Sequence, residues 1–295
     1  MPAPNMTVKQ IVDGILTDIV HVPRESQLAF IKARLLSIKN EDDRNLADSL
    51  VILGYKAAHQ ALSLTHLVVL VHGIRTHGVW QDKVAVALRS HPNTIPVIIG
   101  FGYHDILSFL LPSMFRGAPI ERVERELRGV IKDNPGARVS VIAHSFGTYL
   151  ISQILTNRPD IQFHRLLLCG AIVDRLFAWD ALRSFPTEGV INDVGTRDKL
   201  PVIAKLVSGG YGSSGTFGFR THKVTDRFFD FNHSDFFSDS HIKQFWIPYL
   251  INGQVVESPW NEARSTPSWG ISVLEIFPLR FAIVLFVLLL YVFIF

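Results

Sequence analysis

The chain has 295 residues, of which 48% are hydrophobic and 19% charged, and its formal net charge at pH 7 is +3. A chain of this length has room for one large domain with a smaller appendage. The basic residues are scattered rather than clustered, which argues against a nucleic-acid-binding protein, and the single cysteine, Cys169, excludes an intramolecular disulfide.

Residues 1–64 are predicted to form a helical amino-terminal extension. Apolar residues recur there at helical spacing, for example at Val12, Ile15 and Ile19. We expect these helices to pack as an accessory layer against the domain that follows. The amino terminus has no basic segment followed by an apolar one, so no cleaved signal peptide is predicted.

From His66 onward, apolar strand-like runs alternate with helical or loop segments. The predicted strands are residues 67–71, 94–101, 138–143, 165–173, 190–194 and 224–231. Such alternation is typical of an α/β domain in which a mostly parallel sheet is covered by helices on both faces. We place this domain at residues 65–252.

The most informative run of the chain is Ala143-His144-Ser145-Phe146-Gly147, which follows an apolar strand and precedes a helix-forming segment. A serine on such a sharp strand-to-helix turn projects its hydroxyl above the sheet, and the turn leaves room only for small flanking residues. Ala143 stands where glycine is commonest, so this is a variant of the pattern. The alternative is an ordinary turn serine after a core strand.

Three further segments agree with a serine nucleophile. The strand at 67–71 ends in His72-Gly73, the strand at 190–194 leads to a turn with Asp198, and the strand at 224–231 leads to His233. The order serine, aspartate, histidine is that of α/β-hydrolases, not of the chymotrypsin or subtilisin arrangements. Over about residues 66–252, the chain resembles the α/β-hydrolase superfamily, in its serine esterase/lipase branch.

The resemblance implies a role for each of these residues. Ser145 would be the nucleophile, His233 the general base and Asp198 the carboxylate that orients the imidazole. The backbone N–H groups of Ile74 and Phe146 would form the oxyanion hole.

The acid and the base each have alternatives. Asp174 ends a predicted strand, where some hydrolases place their acid, while Asp193 lies inside a strand pattern that favours a structural role. His241, at the start of a helix predicted over residues 241–250, is the alternative base. His72 and His144 are interpreted as local hydrogen-bond partners.

No cofactor or metal is predicted. Twelve histidines occur without a His-Glu-x-x-His motif or a closely spaced ligand set. The glycine-rich segment 208–218 lacks the Gly-Lys-Ser/Thr ending of a phosphate-binding loop. It is predicted to be a flexible loop, either a mobile rim of the active-site entrance or a plain surface connector.

The carboxyl terminus predicts a membrane anchor. Residues 281–295 are uninterrupted apolar sequence, and a helix over 276–295 would reach about 30 Å, the thickness of a hydrocarbon core. We therefore expect a single-pass carboxyl-terminal transmembrane helix, a linker at 253–275, and a catalytic domain on the cytoplasmic side.

These features together predict a membrane-anchored serine hydrolase that cleaves small-molecule or lipid-like carboxylic esters. The lipid preference rests on the anchor and on the apolar segment 106–115, which would be a lid, an acyl-pocket wall or an ordinary core helix. A thioesterase, amidase or peptidase on the same fold, and a non-catalytic membrane-tethered binding module, are the alternatives. No oligomeric state is predicted.

Overall fold

The computed structural model describes residues 7–22, 26–72, 79–100, 116–259 and 266–276. The chain divides into two compact units, Met1–Leu64 and Thr65–Phe295. The apolar segment 106–115 and Ile74 of the predicted oxyanion hole lie outside the described residues.

The first unit is helical. It contains α1 (Val8–Asp18), a 3₁₀ turn (Ile19–His21), α2 (Gln27–Leu35) and α3 (Glu41–Leu64). The Thr7 hydroxyl accepts a hydrogen bond from the Gln10 backbone and the Gln10 side chain accepts one from the Thr7 backbone, a capping box that fixes the start of α1. The helices bury a small apolar cluster: Val12, Ile15, Leu35, Ile38, Ala47 and Val51.

The second unit is built on a six-stranded sheet in the order β2-β1-β3-β4-β5-β6. The strands are β1 (His66–Val71), β2 (Thr94–Ile99), β3 (Arg138–His144), β4 (Leu166–Cys169), β5 (Val190–Gly195) and β6 (Val224–Phe229). Every neighbouring pair is parallel. All six carboxyl ends therefore meet at one edge, the place where ligands bind in sheets of this kind.

The helices of the second unit follow the strands in alternation. They are α4 (Val79–Arg89), α5 (Gly117–Asp133), α6 (Phe146–Asn157), α7 (Leu200–Val207), α8 (Ser214–Phe217), α9 (Asp239–His241), α10 (Ile247–Asn252) and α11 (Trp269–Ile276). A π-helical turn (Ile242–Trp246) joins α9 to α10, and we call this continuous segment the closing helix.

Both faces of the sheet are covered because successive strand side chains point to opposite sides. Leu67 and Val69 of β1 belong to a core shared with α5 and α6, whereas Val68 and Leu70 belong to one shared with α4 and the closing helix. Each fully buried valine or leucine contributes about 1.5–3 kcal/mol. This two-sided burial explains the near-continuous apolar strands, and it confirms the predicted parallel sheet flanked by helices.

The fourth strand is shorter than predicted. The sequence pattern extends over 165–173, but β4 ends at Cys169 because Gly170 turns the chain with a φ of 54°. Ala171, Ile172 and Val173 remain buried outside the ladder.

The prediction of a carboxyl-terminal transmembrane helix is wrong. In the part of the chain that the structure describes, no helix combines the length and apolar character that a membrane crossing requires. The described helix of this region, α11, has 8 residues and lies mostly within the segment predicted as a linker. Residues 277–295 lie outside the described residues. The single-pass membrane localisation drawn from this helix is withdrawn with it.

Candidate active site

Ser145 lies on the turn between β3 and α6 in a strained backbone conformation. Its φ is 53° and its ψ is −122°, a combination that L-residues rarely adopt and that costs about 1–3 kcal/mol. Hydrogen bonds fix the turn on both sides: the Ser145 N–H donates to the Cys169 carbonyl at 3.2 Å, and the Thr148 N–H donates to the Ser145 carbonyl at 2.9 Å. The half-buried serine is thereby held at the carboxyl edge of the sheet.

Gly147 is required because the end of β1 packs directly on this turn. A Cβ atom at Gly147 would lie 2.6 Å from the carbonyl oxygen of Val71 and 2.9 Å from that of His72. Both contacts are with backbone, which cannot rotate away. The turn therefore has no space for a side chain two positions after the serine.

The Gly147→Ala variant is expected to unfold at a lower urea concentration, with a loss of about 1–3 kcal/mol in the free energy of unfolding, because the end of β1 must move. Gly129→Ala in α5 is the matched control, since nothing lies within 4 Å of the added methyl group there. That control is expected to gain up to about 1 kcal/mol from helix propensity. Equal stability of the two variants would contradict the steric explanation.

His233 and Asp198 form a hydrogen-bonded pair. The His233 Nδ1 lies 2.7 Å from the Asp198 Oδ2, and the Asp198 side chain is fully buried. The other carboxylate oxygen accepts the Leu200 N–H at 3.0 Å. An ionised carboxylate only accepts hydrogen bonds, so Nδ1 carries the proton and Nε2 is left as a basic nitrogen.

Backbone hydrogen bonds tie the turn of the acid to the strand that leads to His233. The Thr196 N–H donates to the Phe229 carbonyl at 3.0 Å and the Arg197 N–H to the Phe231 carbonyl at 3.1 Å. The two side chains thus come from neighbouring connections at the same edge of the sheet. Their pairing depends on the β5–β6 register.

The Cys169–Gly170 peptide connects the His233 pair to the serine turn. The Cys169 carbonyl accepts the Ser145 N–H, and a Cβ at Gly170 would lie 2.9 Å from Cε1 and Nδ1 of His233. The imidazole therefore fills the space that the missing side chain leaves. Ser145 and the His233–Asp198 pair therefore lie in one region of the carboxyl edge, where no hydrogen bond joins the Ser145 hydroxyl to His233 among the described residues.

His144 is hydrogen-bonded to the backbone of His233. Its Nε2 lies 3.0 Å from the His233 carbonyl oxygen, and the two ring centroids are 4.5 Å apart. Burial lowers the pKa of His144 well below its ordinary value, so the ring is neutral and Nε2–H donates. Its Nδ1 has no hydrogen-bond partner among the described residues. His144 was predicted to be a local hydrogen-bond partner, but its bond reaches a residue 89 positions away.

The alternative acid and base lie elsewhere. Asp174 is exposed, and its side chain accepts the N–H of Leu176 at 2.7 Å. Asp193 and His241 bind each other at 2.9 Å in a buried cluster with Arg227. In the described chain, none of these groups bonds to His233.

Residues 211–218 of the glycine-rich segment are mostly buried, which corrects the prediction of a surface loop for this part, whereas Gly209 and Gly210 are exposed. The segment contains α8, and the Thr216 hydroxyl donates to the Asp198 carbonyl at 2.7 Å. A Cβ at Gly215 would lie 2.2 Å from the Ala171 nitrogen. Its glycines permit close backbone contact beside the acid.

Of the predicted oxyanion donors, only Phe146 is described. Its N–H stands at the start of α6, where the helix dipole favours negative charge. Within the described ranges, no group of three or more histidine, cysteine, aspartate or glutamate side chains could hold a metal ion.

Comparisons with known proteins leave the family open. No protein-family model and no curated protein matches this chain. Among solved structures, an uncharacterized protein from Bacillus cereus ATCC 10987 is similar at 12% identity and a TM-score of 0.41, covering 86% of this chain and 90% of that one. AbyA5 is similar at 11% identity and a TM-score of 0.30, covering 79% and 84%. At these identities and TM-scores, neither similarity assigns a fold family or an activity to this chain.

Proposed function

We propose that this chain is a serine hydrolase of the α/β-hydrolase type, which cleaves carboxylic esters through an acyl-enzyme on Ser145. The observation that carries the proposal is the strained serine on the strand-to-helix turn, at the same sheet edge as the His233–Asp198 pair. Strain of this kind persists where the surrounding structure enforces it, and it concentrates at functional sites.

In the proposed mechanism, His233 Nε2 takes the proton of the Ser145 hydroxyl as its oxygen attacks the ester carbonyl. Asp198 holds the imidazole in the required tautomer and stabilises its cation. The Phe146 N–H, at the start of α6, donates to the developing oxyanion. His233 then gives its proton to the leaving alcohol. Water, deprotonated by His233, attacks the acyl-enzyme and releases the acid and free Ser145.

The proposed substrates are carboxylic esters of any acyl length. The preference for lipid-like esters depended on the membrane anchor, which the structure contradicts, and on the segment 106–115, which lies outside the described residues. A serine–histidine–aspartate arrangement does not itself choose the leaving group. The substrate test therefore compares matched ester, thioester and anilide compounds.

The proposal is tested with a fluorophosphonate probe, which reacts only with an activated serine. The wild-type chain is expected to be labelled and to release p-nitrophenol from p-nitrophenyl esters, whereas Ser145→Ala is expected to do neither. Ser152→Ala is the matched control, because Ser152 is a buried serine of α6 whose hydroxyl donates to the Tyr149 carbonyl at 2.7 Å. A folded wild-type chain that resists labelling would refute the proposal and favour a non-catalytic binding module.

A further inference from the structure

A polar cavity lies beyond the end of β4, outside the proposed catalytic group. It measures about 190 Å³, and Asp174, Arg175, Lys205, Ser213, Arg220 and Glu275 line it. We call it the Arg175 cavity. Pockets for drug-sized ligands usually measure about 300–1,000 Å³, so this one suits a small molecule. Its three cationic and two anionic side chains favour a ligand that carries negative charge.

Two arginines supply the cationic wall. The Arg175 Nε donates to the Gly218 carbonyl at 3.1 Å and its Nη2 to the Phe217 carbonyl at 3.3 Å, which fixes the guanidinium in place. Burial, and then the neighbouring charge of Arg220, lower the pKa of Arg175. In the described chain, neither arginine forms an ion pair with a carboxylate. An anion between them would relieve their mutual repulsion.

Two buried polar atoms at the cavity have unused hydrogen-bonding capacity. The Ser213 hydroxyl is fully buried and has no partner within the described ranges. Glu275 accepts from Lys205 at 2.7 Å through Oε1, but its buried Oε2 has no partner there either. Unsatisfied buried groups are rare in folded proteins and call for an explanation. A ligand oxygen could accept from Ser213, while a ligand hydroxyl could donate to Glu275.

The backbone holds Ser213 at the cavity. The Gly212 N–H donates to the Ile172 carbonyl at 2.8 Å and the Ser214 N–H to the Val173 carbonyl at 3.2 Å. A Cβ at Gly212 would lie 2.3 Å from the Asp174 Cα, so the two segments are in direct backbone contact. Ser213 is therefore fixed on both sides.

From this arrangement we infer that the Arg175 cavity binds a small molecule in which an anionic group, phosphate or carboxylate, stands next to a hydroxyl. The arginines bind the anion, Ser213 donates to one of its oxygens, and Glu275 accepts from the hydroxyl. This binding does not require chemistry at Ser145.

The test is calorimetric titration of the full wild-type chain with sn-glycerol 3-phosphate, glycerate, inorganic phosphate and glycerol. We expect the two compounds that combine an anion with a hydroxyl to bind about tenfold more tightly than phosphate or glycerol. The tighter of the two identifies the anionic group. Absence of binding by both at about 10 mM would overturn the inference.

Variants show whether the cavity is responsible. Ser213→Ala and Arg220→Gln are each expected to weaken binding about tenfold. Ser214→Ala is the matched control, because Ser214 is equally buried and its hydroxyl also lacks a partner among the described residues, yet it does not line the cavity. Exposed Arg183 serves as the control for charge, as Arg183→Gln. Equal affinity in all four variants would overturn the assignment, whatever the fluorophosphonate result at Ser145.

Discussion

Replacing Asp198 by asparagine is expected to slow hydrolysis of a p-nitrophenyl ester about 10⁴-fold in kcat, with little change in KM. The Asp198 carboxylate accepts a hydrogen bond from the Nδ1–H of His233, with 2.7 Å between Oδ2 and Nδ1. An amide of the same shape can present its NH₂ group instead, which would favour the wrong imidazole tautomer. Steady-state kinetics together with the rate of fluorophosphonate labelling would measure the effect.

Asp174→Asn is the matched control for this experiment. Asp174 also follows a strand at the carboxyl edge, but it is exposed and accepts the Leu176 N–H. Its replacement is expected to leave kcat within about twofold, since no reacting group depends on it. A large loss with Asp174→Asn and none with Asp198→Asn would reverse the assignment of the acid.

Replacing Asp193 by alanine is expected to lower the free energy of unfolding by about 3–5 kcal/mol. The fully buried carboxylate accepts from Arg227 at 2.7 Å, from His241 at 2.9 Å and from Trp246 at 2.7 Å. Its removal would leave the Arg227 guanidinium buried without a counter-charge. Since a domain is typically stable by about 5–15 kcal/mol, urea unfolding should reveal a severely weakened protein.

The matched control is Asp230→Ala, which breaks the exposed ion pair between Asp230 and Arg197. Exposed pairs contribute at most about 1 kcal/mol, so a small change is expected. If Asp193→Ala were as stable as this control, the buried cluster would have no structural importance.

The pKa of Asp193 determines in which direction the stability of the fold changes with pH. Burial would raise the pKa of Asp193, but the charge of Arg227 and the hydrogen bond from His241 outweigh it, and the pKa lies below its ordinary value. The resulting stabilisation is present above the pKa of an unfolded aspartate and is lost as the pH falls through the lower, folded value.

Strand patterns predicted the centre of the sheet well because its four inner strands, β1, β3, β4 and β5, are buried on both faces. Apolar runs such as β1 and β3 have no solvated face, so composition alone locates them. The same signal failed at 165–173, where Ile172 and Val173 are buried by packing rather than by ladder pairing. It failed again at the carboxyl terminus, where a long apolar run predicted a transmembrane helix that the described structure does not contain.

The order of the residues in the chain and the local turns identified candidate site residues, but they did not predict which side chains contact one another. The sequence favoured Asp198 over Asp174, and the structure brings Asp198 to His233, while the catalytic roles remain a proposal. The Asp193 cluster was not predicted as a whole, because Arg227 and Trp246 lie 34 and 53 positions from Asp193. Their pairing depends on tertiary structure that no local motif encodes.

The close packing of residues 211–218 has a practical consequence for anyone who modifies this protein. Loops rich in glycine are usual choices for inserting an affinity tag or joining new termini. Here, however, the Thr216 hydroxyl of this segment donates to the Asp198 carbonyl, and Gly215 packs against the Ala171 backbone. The turn at Gly136 is a better position, since it is exposed and nothing lies within 4 Å of a Cβ atom added there. In this molecule, glycine content is a poor guide to where the polypeptide tolerates being opened.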